Sequence, residues 1–422
     1  MIIGIAGLSH LGIVTAVGLA EKGFHIIAWD PDPTKLESLR QGQTDILEPR
    51  LIELFARNAA NISFLKNSSE LKAAELVYIA TDTPTNDKGC PELSLINTIT
   101  NKVLESLNSN GVLTILSQVP PGYTGNIQLP KHRLFYQVET LVFGEAIKRF
   151  LAPERFIIGC DETSKGIHPI LLNVLEKFQC PILTIGYSSA ELAKISINSI
   201  LASQVSTTNM LSALCESIGA NWLDIIPALQ LDKRIGKNAY LNPGLGLSGG
   251  NLERDLNVLD SLTTRYQVEN TQIHAWLKTS RFQKDWLHRK LKSLVLDKHQ
   301  NPKIAVLGLA YKENTNSTKN SSAIHFLNQI RGQNIYIHDP IVKLPQSPWL
   351  KQVENSDQAI ENADVLILST PWPEYRNLEM KKLHSLMKRP IIIDPLSFFI
   401  NQHPEQHGFQ WIRLGVGNST CL

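Results

Sequence analysis

Two groupings of residues in this sequence have the types and spacing for chemistry. The first is Gly7-Leu-Ser-His-Leu-Gly12, which follows the apolar run Met1–Ala6 and precedes a stretch suited to a helix through Glu21. A second apolar run, His25–Trp29, ends at Asp30. Strand, glycine turn, helix, strand and acid in that order suit a dinucleotide. The helix N-terminus faces the pyrophosphate, and the acid takes the ribose hydroxyls. Asp30 would repel a 2′-phosphate, so the pattern favours NAD over NADP. Ser9 stands where G-x-G-x-x-G has its middle glycine, the one that lets the pyrophosphate approach the backbone. Its hydroxyl can hydrogen-bond a phosphate, while its Cβ adds bulk where little is tolerated. His10 either contacts a ligand or plugs the cleft.

The second grouping is Lys194 and Asn198, four residues apart and therefore on one face of a helix. Ser188 with Glu191 reads as a capping box, and Gly219 as a left-handed stop, so the sequence predicts an unbroken helix from Ser188 to Gly219. Such a helix is about 45 Å long and crosses a domain. Ala190, Ala193, Ser196, Ser199, Ala202, Ser203 and Ser206 let other backbones pack closely against it, between domains or against a second subunit. A lysine and an asparagine on a largely buried face need partners. Taken from the helix alone, they form a hydrogen-bonded structural pair.

These elements sit in a chain of 422 residues, long enough for two or three domains. With 43% hydrophobic and 19% charged residues it is an ordinary globular composition, and a net charge of +2 argues against a dedicated nucleic-acid surface. The basic stretch Lys278–Lys303 alternates with Trp286, Leu287, Leu291 and Leu294, as a solvated amphipathic helix does. Cys90, Cys160, Cys180, Cys215 and Cys421 lack metal or C-x-x-C spacing, so no metal site is expected and free thiols in a reducing cytoplasm are. Met1–Ala20 is apolar, but it has no basic leader and is broken by Gly7, Ser9-His10 and Gly12, so a buried strand and helix explain it better than a signal peptide. No segment is long and apolar enough to span a membrane.

Further strands are expected at Glu75–Ala80 and Gly111–Leu116, each ending in a polar turn, Thr81–Thr85 and Ser117–Gly122. Ligands in open α/β sheets sit outside such carboxyl ends. The last third of the chain echoes the first. Lys303–Ala310 runs into Gly308, Asn334–Pro340 resembles His25–Pro31, Ala363–Pro371 resembles Ala74–Asp82, and Pro390–Asp394 completes the set. The predicted fold is α/β, with two Rossmann-like doubly wound parallel-sheet domains joined by a long central helix. The expected boundaries are 1–185 for a dinucleotide-binding domain, 186–295 for a central helical domain and 296–422 for a second nucleotide-binding domain.

Along nearly all its length the chain resembles the UDP-glucose/GDP-mannose dehydrogenases. Gln43-Thr-Asp-Ile-Leu-Glu-Pro49 is similar to the family's P-I-x-E-P, and Thr81-Asp-Thr-Pro-Thr85 with Leu93-Ser94 to its T-P-T…D-L-S. Ala190-Glu-Leu-Ala-Lys194 with Asn198 is similar to A-E-x-x-K-x-x-x-N, and Asp232-Lys-Arg-Ile-Gly236 to D-x-R-I-G. Pro243 to Asp255 sits on P-G-x-G-Y-G-G-S-C-F-P-K-D, and Leu307 to Thr315 on L-G-L-A-F-K-P-N-T. The resemblance implies two successive oxidations of a nucleotide-linked hexose alcohol by NAD, a cysteine that traps the aldehyde, a homodimer formed through the central domain at 186–295 and a nucleotide sugar held by the last domain at 296–422. Nucleic-acid and membrane partners are not expected, given the net charge of +2 and the lack of a membrane-length apolar segment. It implies catalytic roles for Lys194, Asn198, Asp255 and Glu139, with Asn251 at the cysteine position. The implied cofactor contacts are Gly7, Ser9, Gly12, Asp30, Lys35, Thr83, Gln118, Arg254 and Lys319. The implied sugar-nucleotide contacts are Arg234, Tyr240, Gly244, Gly246, Gly249 and Lys312.

Several matched positions depart from the pattern. An amide nitrogen is no usable nucleophile, so Asn251 closes the thioester route. The family's N-P-E-F-L-R-E-G is Gln137-Val-Glu-Thr-Leu-Val-Phe-Gly144, which keeps Glu139 but puts Val142 for the arginine and Phe143 for the second acid. Gln118 replaces the threonine of S-T-V-P, and the stretch from Gly122 to Phe135 is too short for the usual helix. Asn316–Ser322 replaces D-D-x-R-E-S-P, leaving Lys319 without the arginine fork. Two functions follow. One is an NAD-dependent nucleotide-sugar 6-dehydrogenase of UDP-glucose type with an impaired or altered second oxidation. The other is a pseudoenzyme that binds a nucleotide sugar or pairs with an active relative.

Overall fold

A computed structural model of the chain describes residues 1–84, 91–163 and 166–417; Thr85, Cys90 and Cys421 lie outside these ranges. The chain forms two compact units, Met1–Ile197 and Asn198–Leu422, and the boundary falls inside one continuous helix, Tyr187–Ile218.

The first unit is built on an eight-stranded sheet: β1 (Ile2–Ala6), β2 (His25–Trp29), β3 (Ile62–Phe64), β4 (Leu76–Ile79), β5 (Val112–Ile115), β6 (Leu134–Gln137), β7 (Phe156–Cys160) and β8 (Ile182–Gly186). Their spatial order is β3-β2-β1-β4-β5-β6-β7-β8. Every neighbouring pair is parallel except β6 with β7, where Tyr136 faces Gly159 and Gln137 faces Ile158 in antiparallel register. Central strands β4 and β5 are buried at every position, which is why they read as continuous apolar runs rather than alternating ones. Between β5 and β6 the short connection forms only single turns, Thr124–Asn126 and Lys131–Arg133, in place of a helix.

Helix α1 (His10–Glu21) packs tightly onto this sheet, and Gly12 makes the approach possible. A Cβ at Gly12 would lie 1.9 Å from the Gly7 carbonyl oxygen and 2.7 Å from that of Ala80. Gly7 itself adopts φ +93°, which glycine takes without the penalty of a side chain.

The second unit carries a six-stranded, all-parallel sheet: β9 (Lys303–Leu307), β10 (Asn334–His338), β11 (Leu350–Gln352), β12 (Val365–Leu368), β13 (Ile391–Asp394) and β14 (Gln410–Arg413), in the order β11-β10-β9-β12-β13-β14. Its β11-β10-β9-β12-β13 run repeats β3-β2-β1-β4-β5 of the first unit, so the sequence echo is a structural repeat. After β14 the chain returns to the end of the long helix: Trp222 N donates to the Gly415 carbonyl and Gly417 N to that of Ala220, at 2.8 Å each. Glu216 on the helix receives the Trp286 indole at 2.9 Å and Lys290 at 2.7 Å.

The long helix corrects one sequence expectation. It starts at Tyr187, directly after β8, and Glu191 does not turn back to cap it. Instead the Glu191 carboxylate, wholly buried, accepts the backbone N–H of Gly122 at 2.6 Å and of Thr124 at 2.7 Å. Ser188 and Glu191 have capping-box spacing, but the Glu191 carboxylate goes to the loop after β5. Tyr187 adds a second tie, its hydroxyl donating to the Leu134 carbonyl at 2.6 Å. Gly219 ends the helix as expected, with φ +73°.

Burial raises the Glu191 carboxyl above its ordinary value of 4.5, outweighing the Thr124 and Gly122 hydrogen bonds that lower it. The folded chain therefore binds this proton more tightly than the unfolded chain, and stability falls as pH rises above that value. Replacing Glu191 with Gln removes the titration and keeps one acceptor. Denaturant unfolding from about pH 5 to about pH 7 should show the variant gaining on the wild type as pH rises. A constant difference would assign the slope to another group. Glu191→Ala removes the acceptor of one buried and one partly buried N–H group and should cost about 2–4 kcal/mol.

Candidate active site

In the first unit, Lys194 lies two turns into the long helix and is buried. Its ammonium meets the Glu139 carboxylate at 3.4 Å. Glu139 sits on the loop just past β6, and its other oxygen accepts the N–H of Leu141. A buried ammonium without a partner would be strongly disfavoured, so this pair accounts for both side chains. It also joins a helix residue to the carboxyl end of a sheet strand, where α/β folds place ligands.

Both flanks of the glycine turn are fixed by hydrogen bonds. Asp30 is buried and accepts the Leu8 N–H at 2.6 Å, the Asp32 N–H at 3.0 Å and the Lys35 ammonium at 3.2 Å. Ser9 adopts φ −75° and ψ −170°, ordinary extended backbone, and its hydroxyl oxygen accepts the Asp82 N–H at 2.7 Å. Thr83 donates to the Gln118 carbonyl at 2.6 Å, joining the loops after β4 and β5. His10 turns inward: its Nε2 lies 3.1 Å from Glu48, and its ring stacks on Phe143 with centroids 4.2 Å apart. Glu48 is buried and also accepts from Gly144 N at 2.9 Å and Ala146 N at 2.6 Å. His10 thus meets protein groups on both its ring edge and its face. Glu48 lies in the Gln43–Pro49 stretch, and nothing in its local sequence signals contacts nearly a hundred residues away.

A dinucleotide fits this turn in three respects. Gly7 has the left-handed conformation, Gly12 leaves no room for a Cβ, and Asp30 with Lys35 stands at the end of β2. Ser9 is the point of conflict.

In the second unit, Asn198 and Asp255 are both buried, and the Asn198 amide donates to one Asp255 oxygen. Arg254 Nε holds the other oxygen at 3.0 Å. Asp255 is fully buried between these two donors, on the helix Asn251–Arg265. Asn251 is the first residue of that helix, one turn before Asp255, and is exposed. Ahead of it runs the glycine loop. Gly246 (φ +84°) and Gly249 (φ +74°) need glycine, since a Cβ would come within 2.6 Å of the Ser280 carbonyl and 3.1 Å of the Tyr311 ring respectively. Gly244 N donates to the Asn209 side chain at 2.9 Å. Lys319 lays its aliphatic stem against Gly250, and Asn320 donates to the Gly249 carbonyl at 2.8 Å and to Glu253 at 2.7 Å. Lys312 lies 5.7 Å from the centre of the Tyr311 ring.

Arg234 and Tyr240 are not brought to this cluster. Arg234 is highly exposed and its guanidinium forks onto Asp232, at 3.0 and 2.6 Å. Tyr240 is half exposed and donates its N–H to the Gln204 side chain at 3.1 Å.

Comparison with known proteins accords with this geometry. Three domain models of one family match in order: the NAD binding domain over residues 1–179, the central domain over 188–281 and the UDP binding domain over 305–400. The chain is 29% identical to UDP-glucose 6-dehydrogenase TuaD of Bacillus subtilis, over 98% of this chain and 93% of that protein. It is 27% identical to UDP-glucose 6-dehydrogenase of Rickettsia typhi, over 98% and 99%. Among solved structures it superposes on a UDP-glucose dehydrogenase from Pyrobaculum islandicum with a TM-score of 0.86 at 24% identity, covering 99% of this chain and 98% of that one, a likeness of fold. The chain belongs to the UDP-glucose/GDP-mannose dehydrogenase family.

Proposed function

We propose that this protein is an NAD-dependent nucleotide-sugar dehydrogenase of UDP-glucose type that carries out the first oxidation, alcohol to aldehyde, and does not sustain the second. The observation that carries this reading is the buried Lys194–Glu139 pair at 3.4 Å, kept at two matched family positions. An ammonium beside a hydroxyl losing its proton stabilises the alkoxide directly. Glu139, already bonded to Leu141 N and Lys194, is held in place to accept a proton. Asn198, fixed by Asp255, offers an oriented amide to a substrate oxygen. NAD, held by Gly7, Gly12, Asp30 and Lys35 with Thr83 and Gln118 alongside, would supply the hydride acceptor. The sugar nucleotide would lie against Gly244, Gly246 and Gly249, with Lys312 contributing positive charge, while Arg254 and Lys319 would serve the cofactor.

The limit on the second oxidation comes from Asn251. It stands where a thiol would sit at a helix N-terminus, and an amide cannot form the thiohemiacetal that the thioester route requires. The same residue, with Val142 and Phe143, favours the second reading, a pseudoenzyme that binds the nucleotide sugar without turnover.

A homodimer is part of this proposal. Ile200, Met210, Leu214 and Ile218 expose an apolar stripe along the long helix, and Arg234 is highly exposed. The three domains expected at 1–185, 186–295 and 296–422 remain the functional division we propose. Cys160, Cys180 and Cys215 are free thiols, which suits a reducing cytoplasm.

Lys194→Ala should lower the rate of NADH formation from UDP-glucose by about a hundredfold or more, as loss of an oxyanion-stabilising group does. Unchanged turnover would remove Lys194 from the reaction. Asp255→Ala leaves buried Arg254 without this carboxylate and should lower stability by about 3–5 kcal/mol in denaturant unfolding. A loss below about 1 kcal/mol would mean that Asp255 is not what balances Arg254.

A further inference from the structure

In the first sheet the strand order reverses between β1 and β4, and the crevice outside their carboxyl ends is where such folds bind a dinucleotide. Ser9 lies three residues after β1 and Asp82 three residues after β4. The 2.7 Å bond from Asp82 N–H to the Ser9 hydroxyl oxygen therefore spans that crevice from one wall to the other. The backbone at Ser9 is extended, so the fold does not need glycine there. A glycine at this position serves the ligand, by leaving space for a phosphate. Serine consequently costs the fold nothing and places its penalty on binding.

The second unit supports reading the bond as a brace. There Gly308 (φ +95°) repeats Gly7, Asp339 accepts the Leu309 N–H at 2.6 Å as Asp30 accepts that of Leu8, and Ala310 occupies the place of Ser9. Thr370, following β12, bonds through its hydroxyl to the Ala310 carbonyl at 2.6 Å. Both repeats thus close the gap between the first and fourth strands of the motif with one hydroxyl hydrogen bond. In the first unit the hydroxyl is on the glycine turn itself, where a pyrophosphate must pass.

We propose that Ser9 is the residue that sets cofactor affinity in this chain: its hydroxyl latches the crevice through Asp82, and the dinucleotide must break that bond to enter. This rests on NAD being the cofactor. The Ser9 side chain makes no cap bond to α1, so its removal leaves the helix start intact.

The test is calorimetric titration of NAD into the wild-type protein, Ser9→Ala and Ser9→Gly. Loss of the latch should tighten the dissociation constant by about tenfold in Ser9→Ala. Ser9→Gly, which also removes the Cβ, should bind at least as tightly. Equal constants for all three would overturn the role of Ser9 while leaving NAD as the cofactor. Tightening in Ser9→Gly alone would also overturn the latch, assigning the effect to Cβ bulk. Weaker binding in Ser9→Ala would mean that the hydroxyl serves the ligand. No heat from any of the three would overturn both the latch and the cofactor.

Discussion

One buried carboxylate fixes the frame of the first unit. Glu191 accepts two backbone N–H groups from the loop after β5, and this clamps the start of the long helix against the carboxyl end of the sheet. Lys194 follows one turn later, so its reach to Glu139 is set by the same clamp. The loop could have satisfied its own donors with a helix, but it is too short to form one. A side chain from seventy residues away does so instead. The arrangement is costly to ionise and strong once formed. That is why a helix end can serve here as a rigid platform for the buried Lys194 ammonium.

The second organising feature is the repeat. Two glycine turns, each with φ near +90°, are each backed by an aspartate that binds the N–H of the next residue. Because Asp339 makes this contact as Asp30 does, the aspartate is first a structural part of the turn. In the first unit, where Lys35 shares the carboxylate, we propose a further role toward ribose. A motif match alone cannot separate these roles; the duplicated geometry can.

Much of this was legible in the sequence because the elements that matter are long and locally determined. The apolar runs of β1, β2, β4 and β5 and their echoes declare themselves, and so do Gly219 at the helix stop and the glycines of the turn. What was not legible depends on distant partners. Glu191 has the spacing of a cap and acts elsewhere. Glu48, His10 and Phe143 form one cluster from three separate segments. The antiparallel β7 leaves no local mark, since Phe156–Cys160 is buried throughout and reads like any parallel strand. The largely buried helix face predicts that Lys194 and Asn198 need partners, and the structure places Glu139 and Asp255 against them.

The account turns on Asn251. If the alcohol oxidation survives and covalent capture does not, the protein should transfer one hydride to NAD per sugar. The most direct measurement is a single-turnover count of NADH against UDP-glucose consumed, with NAD in excess. The account predicts one NADH per sugar and an aldehyde product. Two per sugar, with the uronic acid as product, would contradict it and require another group to carry the second step.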